Sequence, residues 1–447
     1  MLPSGFLFLY EQKNPNTMSV AQLDTKTTFL APYEDYEGGL ELGAARQAAM
    51  AKLEELDFPT TRHEEWKYFN LRPLLKEQFA FAPKASSLAE ADRQAWFSDA
   101  EVNLLTFVNG YFVPEYSNIR ESDDKITLQP LREAWEAKNG VLEAHLNQYT
   151  AVNENIFTPL NTAFVQDGLC LHLPTSAELA HPVVIHHIID ARAGKVVIQP
   201  RNLIVAEANA RAKVLEQVTT LGEQSSFTNA VTEVVVARDA RVDFHKVQED
   251  SANAYQINQT FVEQDDNSQF ADNTFSLSGA MVRNNLYIGL SEHNEAYMNG
   301  FFLLDGKTVV DNHTAVDHRK PHSMSDELYK GVLDERSTGI FNGKIFVRQD
   351  AQKTNAFQSN DNMLLSDKAT IDTKPQLEIW ADDVRCTHGA TTGALDPEQL
   401  FYMQARGIPE RKARGLLLKA FVGQVLDRIT LDFLREYLEK RIEERLG

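Results

Sequence analysis

Cysteine is scarce in this chain: 447 residues hold only Cys170 and Cys386. Two thiols so far apart make no disulfide framework, and a reduced, cytoplasmic protein is the expectation. Long hydrophobic runs are missing as well. No stretch of about 18 apolar residues occurs, so no transmembrane helix is expected. The run "GFLFLY" (5–10) is too short for the core of a secretion signal, has no basic segment before it and no small-residue cleavage site after it. Residues 1–17 therefore read as a disordered upstream extension, with Met18 an alternative start to Met1. Positive charge is in deficit: 44 Lys and Arg stand against 64 Asp and Glu, a formal charge of −20. That balance argues against non-specific binding to nucleic acid or to an anionic membrane.

The common catalytic signatures are absent too. There is no GxGxxG, no GxSxG and no CxxC pair. "GFFLLDGKT" (300–308) has five residues between Gly300 and Gly306 where a phosphate loop has four, and "VVDNH" follows it instead of a helix start. The usual nucleotide, hydrolase and redox routes thus have no support.

What is present is an ordinary folded composition, 43% hydrophobic and 24% charged, in a chain too long for one compact core. Residues 38–56 and 62–71 read as helical, punctuated by Pro59 and Pro73, and "VNLLTFVNGYFV" (102–113) reads as one strand. From about residue 165 the texture becomes short alternating runs, the mark of half-buried strands. Asn209-Ala210-Arg211 and Asp239-Ala240-Arg241 repeat at an interval of 30 residues, with looser echoes at Asp266-Asn267, Asn294-Glu295, Asp334-Glu335 and Asp367-Lys368. A recurrent unit of strand and turn without helix fits stacked turns of a β-solenoid, and an antiparallel sandwich or barrel is the alternative.

After Gly393 the period turns helical. Asp396 is placed to cap a helix with Pro397 at its first position, Gln399 two residues later and Gly407 past its end. One last helix is expected beyond, with Leu417, Phe421, Val425, Ile429, Phe433 and Tyr437 spaced by four. Residues 401–447 carry ten Lys and Arg against seven Asp and Glu, so this region is locally basic. The domain reading is a mainly helical N-terminal region (18–125), a solenoid core (126–395) and a C-terminal helical domain (396–447).

Among chemistry-bearing residues, Cys386 and His388 come first. At i and i+2 of a strand they share a face, roughly 6–7 Å apart, close enough to share a metal ion or ligand. An inert buried thiol beside a satisfied imidazole is the plainer reading of the pair. "DNHTAVDHRKPH" (311–322) gathers His313, His318 and His322 with Asp311 and Asp317, but in no metal-binding spacing, so these histidines are read as structural. His186 and His187 are strand neighbours facing opposite ways, one expected inside and one outside, with no role assigned.

Four stretches carry a resemblance. "TRHEEWKYFNL" (61–71), "HTAVDHRKPHSMSDELYKGVLDERSTGIFNGKIFVRQDAQKT" (313–354), "DTKPQLEIWADDVRCTHGA" (372–390) and "CTHGATTGALDPEQLFYMQARGI" (386–408) resemble the SufD family, subunits of the SUF (SufBCD) iron–sulfur cluster assembly complex. The paralogous SufB subunits share the "FY…RGI" ending but carry His-Glu-Ala where this chain has His388-Gly389-Ala390, and more cysteines. The resemblance implies a right-handed parallel β-helix core flanked by helical regions. It implies a non-catalytic scaffold pairing with a SufB-like paralogue through the core, and with the SufC ABC-type ATPase through the C-terminal helices. In that setting Phe401, Tyr402, Arg406, Arg411, Leu417 and Phe421 are the expected ATPase-docking residues. His388, with Cys386, would contribute to a transient iron or nascent cluster site between subunits, and no cofactor would be held tightly by the isolated chain. A homodimer is conceivable without the partner. Rival readings are a stand-alone β-helix enzyme acting on a carbohydrate and a SufB-like subunit carrying its own cluster.

Overall fold

A computed structural model describes residues 20–83, 88–121, 123, 125–152 and 155–446; the expected N-terminal extension lies outside the described residues. From Leu169 to Gly393 the alternating runs form strands joined by turns. Leu169–Leu173, Val183–Asp190 and the short Val196–Ile198 pair in parallel with the strand three further on, and from Arg201–Ala206 onward each pairs with the next but one. One sheet runs Leu169–Leu173, Arg201–Ala206, Ser226–Val236, Ala254–Gln264, Met281–Leu290, Val309–His318, Thr338–Val347 and Thr370–Ile379. The other runs Val183–Asp190, Arg211–Leu221, Arg241–Glu249, Gln269–Ser278, Glu295–Leu304, Met324–Leu333, Asn355–Leu364 and Arg385–Gly393. This is a parallel β-solenoid of eight turns, and the antiparallel sandwich is excluded. Neighbouring turns stack at offsets such as Met281↔Val309 and Glu295↔Met324, close to the 30-residue interval read from the sequence.

Parallel stacking puts equivalent residues in columns. In the first sheet Ile204, Val234, Val262, Ile288, Val316, Ile345 and Leu377 stand in one inward column. In the second, Ala212, Val242, Phe270, Ala296, Ser325, Ala356 and Cys386 do the same. Filling such columns with branched and aromatic side chains removes them from water, each fully buried one contributing about 1.5–3 kcal/mol.

The outer faces are covered by helical regions. Phe29, Phe58, Trp66, Phe69, Phe79 and Phe157 pack with Phe227, Ile257, Met281 and Ile340 on the outer face of the first sheet. The "RHEEW" block explains the docking. The Arg283 guanidinium lies 3.7 Å from the Trp66 ring centroid and donates to Asp311 at 2.5 Å. Glu65 pairs with Lys344 and His313, and Glu64 with Lys374. On the second sheet, the helices Glu410–Leu426 and Asp432–Leu446 bury Leu418, Val422, Leu434, Leu438 and Ile442 against Phe275, Phe301, Leu328 and Val332.

Four expectations need correction. Residues 62–71 form no α-helix but a single 3-10 turn, Glu64–Trp66, and the short helix Arg72–Leu75 begins only after them, with Pro73 in its first turn. The segment 102–113 is not one strand but a hairpin, Asn103–Val108 and Tyr111–Phe112, turned at Asn109 (φ 52°) and Gly110 (φ 85°). Asn-Gly with both φ positive is a two-residue hairpin turn, which an apolar run on either side disguises. The last helix is two helices, because residues 427–431 turn the chain back. Ile429 stays buried inside the turn, so the apolar stripe continues unbroken across the break, while Arg428 donates to Asn299 and Asp326 on the sheet. The turn echoes belong to two edges of the solenoid: those at 209, 239, 266 and 294 precede second-sheet strands, while those at 334 and 367 precede first-sheet strands.

Asp311→Ala leaves the 2%-exposed Arg283 charged and unpaired. It should lower stability by about 3–5 kcal/mol, read from urea unfolding. A loss under about 1 kcal/mol would show that stacking on Trp66 and the bond from Arg283 Nε to Asn285 Oδ1 at 3.0 Å satisfy the guanidinium.

Candidate functional site

The two ends of the solenoid differ. At the N-terminal end the sheets finish in antiparallel strands, Thr127–Pro130 against Leu169–Leu173 and Tyr111–Phe112 against Asn103–Val108. At the C-terminal end the strands Thr370–Ile379 and Arg385–Gly393 each have a neighbour on one side only, and among the described residues no element covers them. Their outer edges offer unpaired N–H and C=O groups. Beside them Ile379 is 40% and Trp380 51% exposed, with the Arg348 guanidinium 5.2 Å from the Trp380 ring centroid.

Cys386 and His388 lie on this last turn. Their strand has the extended period of two, so both fall in inward columns, Cys386 after Ala356 and His388 after Gln358. No further turn follows, so inward here means facing the open mouth: Cys386 is half-buried and His388 exposed. Burial pushes the Cys386 thiol above its ordinary value, although the Ala356 backbone opposes the shift. The thiol is therefore protonated in the free chain, and becomes a strong ligand only when a metal displaces the proton. Arg385, Asp382 and Asp383 are exposed around the pair, with Asp383 engaged by Lys353.

Behind His388 the column turns polar, a feature that the sequence reading missed. It runs Val214, Phe244, Asp272, Met298, Glu327, Gln358 and His388. Glu327 accepts from Thr314 Oγ1 of the facing sheet at 2.6 Å and from Gln358 Nε2 at 2.7 Å. Burial raises the Glu327 carboxyl to about 7 and the Asp272 carboxyl to about 6. Two buried acids and a glutamine thus line the inward path that ends at the exposed imidazole.

The three histidines of the 311–322 segment are dispersed. His313 bridges Asp311 and Glu65 at 3.1 and 3.5 Å. Burial works against the Glu65 charge, but the His313 hydrogen bond and the Lys344 charge outweigh it and hold the carboxyl below its usual range. His318 is buried in the core, shares a hydrogen bond with Ser325 Oγ at 2.9 Å, and is pushed down to about 3 by burial. His322 sits exposed in a turn. His186 and His187 do face opposite ways, but both are buried, because Phe97 covers the outer one.

The C-terminal residues separate into two groups. Asp396 caps the helix Pro397–Ala405 through Glu398 N at 2.8 Å. Gly407 (φ 86°) closes it, with Gly407 N donating to Gln404 O and Ile408 N to Met403 O. That helix buries none of its side chains: Phe401 is 71% and Tyr402 60% exposed, with Arg406 over the Tyr402 ring at 5.1 Å. Arg411 is exposed as well, whereas Leu417 is half-buried and Phe421 packs toward the sheet, its ring 4.7 Å from Lys330 Nζ.

Comparison with known proteins adds to this geometry. The family model described as "SUF system FeS cluster assembly, SufBD core domain" matches residues 187–421, and that of the SufBD N-terminal region matches residues 39–185. An iron–sulfur cluster assembly SufBD family protein of Synechocystis is 33% identical over 90% of this chain and 90% of its own length. The iron–sulfur cluster assembly protein SufD of Escherichia coli is 29% identical, covering 91% of this chain and 94% of that protein. Its Bacillus subtilis counterpart is 27% identical over 66% and 68%. Among the described residues no helix is long and apolar enough to cross a membrane.

The raised Glu327 value sets a pH dependence. An unfolded glutamate ionises near 4.5 and the folded one near 7, so the folded state binds the extra proton between those values and loses stability as pH rises through them. Above about pH 7 the cost is fully present. Glu327→Gln should therefore stabilise the chain by about 3 kcal/mol at pH 8 and by under about 0.5 kcal/mol at pH 4, measured by urea unfolding at both. A variant no more stable than the parent at pH 8 would mean that the buried carboxylate is held charged without penalty.

Proposed function

We infer the function from one premise: this chain belongs to the SufBD family of SUF-system iron–sulfur cluster assembly proteins. We propose that it is the SufD-type scaffold subunit, not itself catalytic, acting in the cytoplasm. Its solenoid would pair with a SufB-like paralogue, and its C-terminal helices with a SufC-type ABC ATPase.

The observation that carries this reading is the uncovered last turn. An edge of unpaired strands with Ile379 and Trp380 exposed beside it is costly in water, and a second parallel solenoid end matches its hydrogen-bond pattern and spacing. Cys386 and His388 stand at that mouth. Docking of a partner would surround them, so one thiolate and one imidazole from this side suffice when the other ligands come from across the joint. Thiolate and imidazole are both accepted by iron in clusters. Iron and sulfide are cargo here, and an incomplete ligand set from each subunit suits release better than a closed four-cysteine cage.

The second surface is the exposed helix Pro397–Ala405. Phe401 and Tyr402 project an aromatic pair beside Arg406 and Arg411, in the locally basic part of an acidic protein. Aromatic and arginine side chains are the usual anchors of protein interfaces. Leu417 and Phe421 would support this surface from behind. ATP-driven movement of the partner would be passed through the helical hairpin, which is clamped to the second sheet by Arg428 on Asp326 and by Tyr437 and Arg441 on Glu249.

Co-expression with a SufB-like paralogue and a SufC-type ATPase, followed by anaerobic purification on a tag placed on this chain, tests both surfaces. The ternary complex should form with the parent and with His388→Ala, and the variant complex should hold several-fold less iron and sulfide. Trp380→Asp should lose the paralogue and keep the ATPase, and Phe401→Ala/Tyr402→Ala should do the reverse. A chain that purifies alone would sink the scaffold reading, and normal iron in His388→Ala would leave the partnership but remove the site.

A further inference from the structure

The turns that lead into the second sheet place one residue of each in the left-handed region: Asn209, Asp239, Asn267, His293, His322 and Lys353, with φ of 62°, 62°, 60°, 57°, 66° and 64°. Each N–H donates to a carbonyl of the following turn, as His293 N does to Pro321 O at 3.2 Å and His322 N to Gln352 O at 2.9 Å. The backbone therefore stacks these side chains in a column at the spacing of the strands. Asparagine and aspartate are common at such φ values, because their short polar side chains bond locally.

Elsewhere along the column the neighbours complement each other. Asn267 Nδ2 donates to Asp239, and Lys353 pairs with Asp383. At one step two bases meet instead. The His293 and His322 rings lie parallel, 5° apart in plane, with centroids 4.7 Å apart. Two neutral imidazoles gain little from this arrangement and two protonated ones repel. Glu292 brings a carboxylate to 3.6 Å from His293 Nε2. One ligand atom from each of Glu292, His293 and His322 lies within 4.8 Å of the others.

We propose that Glu292, His293 and His322 bind one divalent first-row transition ion, of the ferrous iron or zinc class. Two imidazole nitrogens and one carboxylate oxygen are the donor set such ions accept, leaving further positions for water or another ligand. The ion resolves the mismatch in the column by giving the two facing rings a bond each to one cation. The carboxylate offsets part of its charge. Both histidines and the solvent side of the site are exposed, so the ion enters without any opening of the core. The site lies on the edge that feeds the Arg385–Gly393 strand, two to three turns before the last, or about 10–14 Å along the solenoid. None of these residues takes part in the subunit contacts proposed above, so the two ideas stand or fall separately.

The test uses the untagged full chain carrying Cys386→Ser and His388→Ala, so that the mouth contributes no ligands. Calorimetric titration with Zn2+, and with Fe2+ under anaerobic conditions, should show one equivalent for at least one ion, and the two arms tell which ion the site prefers. Adding His322→Asn or His293→Asn should abolish that equivalent, and Glu292→Gln should weaken it about tenfold. Asparagine keeps the left-handed preference, so metal-free melting temperatures should stay within about 2 °C of the parent. A parent that binds neither ion, or asparagine variants that bind as the parent does, would overturn the assignment.

Discussion

Everything in this chain depends on parallel, in-register pairing between one turn and the next. That pairing satisfies the backbone and fixes which residues face inward. It also stacks equivalent positions about 4.8 Å apart along two sheets and their turns. A single turn could not bury its inward face. Eight together produce the columns of Val, Ile and Phe that begin at Ile204 and Ala212. The same pairing generates the turn column, because the left-handed residue of each turn hands its N–H to the next. The flanking helices are secondary in this sense: they cover outer faces that the solenoid has already made.

The columns also show where the molecule departs from pure stability. In the second-sheet column that ends at His388 the side chains are apolar at Val214 and Phe244, then admit Asp272, Glu327 and Gln358 toward the open end. Burial disfavours ionisation of both acids, yet the Glu327 carboxyl is held by donors from both sheets. A leucine there would cost the fold nothing in desolvation. A polar lining instead extends the character of the mouth inward, behind the imidazole of His388.

Much of the fold was legible because its signals are local. Alternation gives strands, the Asn-Ala-Arg and Asp-Ala-Arg turns give the repeat, and the period of two places Cys386 and His388 on one face. Other features needed the register. Whether Cys386 and His388 face in or out depends on how their strand stacks on Ala356 and Gln358. Glu327 looks like any charged residue of an alternating strand until its column is known. His293 and His322 fall together only because their turns are neighbours. The turns differ in length, as the steps from Arg241 to Gln269 to Glu295 to Met324 show, so a fixed interval does not align them. The histidines that crowd one stretch of sequence, His313, His318 and His322, point to three different environments for the same reason. The helix break after Leu426 was hidden because Ile429 is buried in the turn as it would be in a helix.

The asymmetry of the ends ties fold to function. A parallel solenoid cannot close on itself, so each end must be capped, shielded or shared. Here the N-terminal end is capped by antiparallel strands from the chain itself. Had the C-terminal end been meant to stand alone, the residues after Gly393 were available to cover it. They leave as a helix with its side chains in solvent, and the following hairpin is clamped to the outer face of the second sheet instead. Among the described residues, those after Gly393 thus build a separate surface and none of them pairs with the strands at the mouth. A second solenoid end of the same spacing is the cover that geometry favours, and the residues it would enclose first include a thiol and an imidazole.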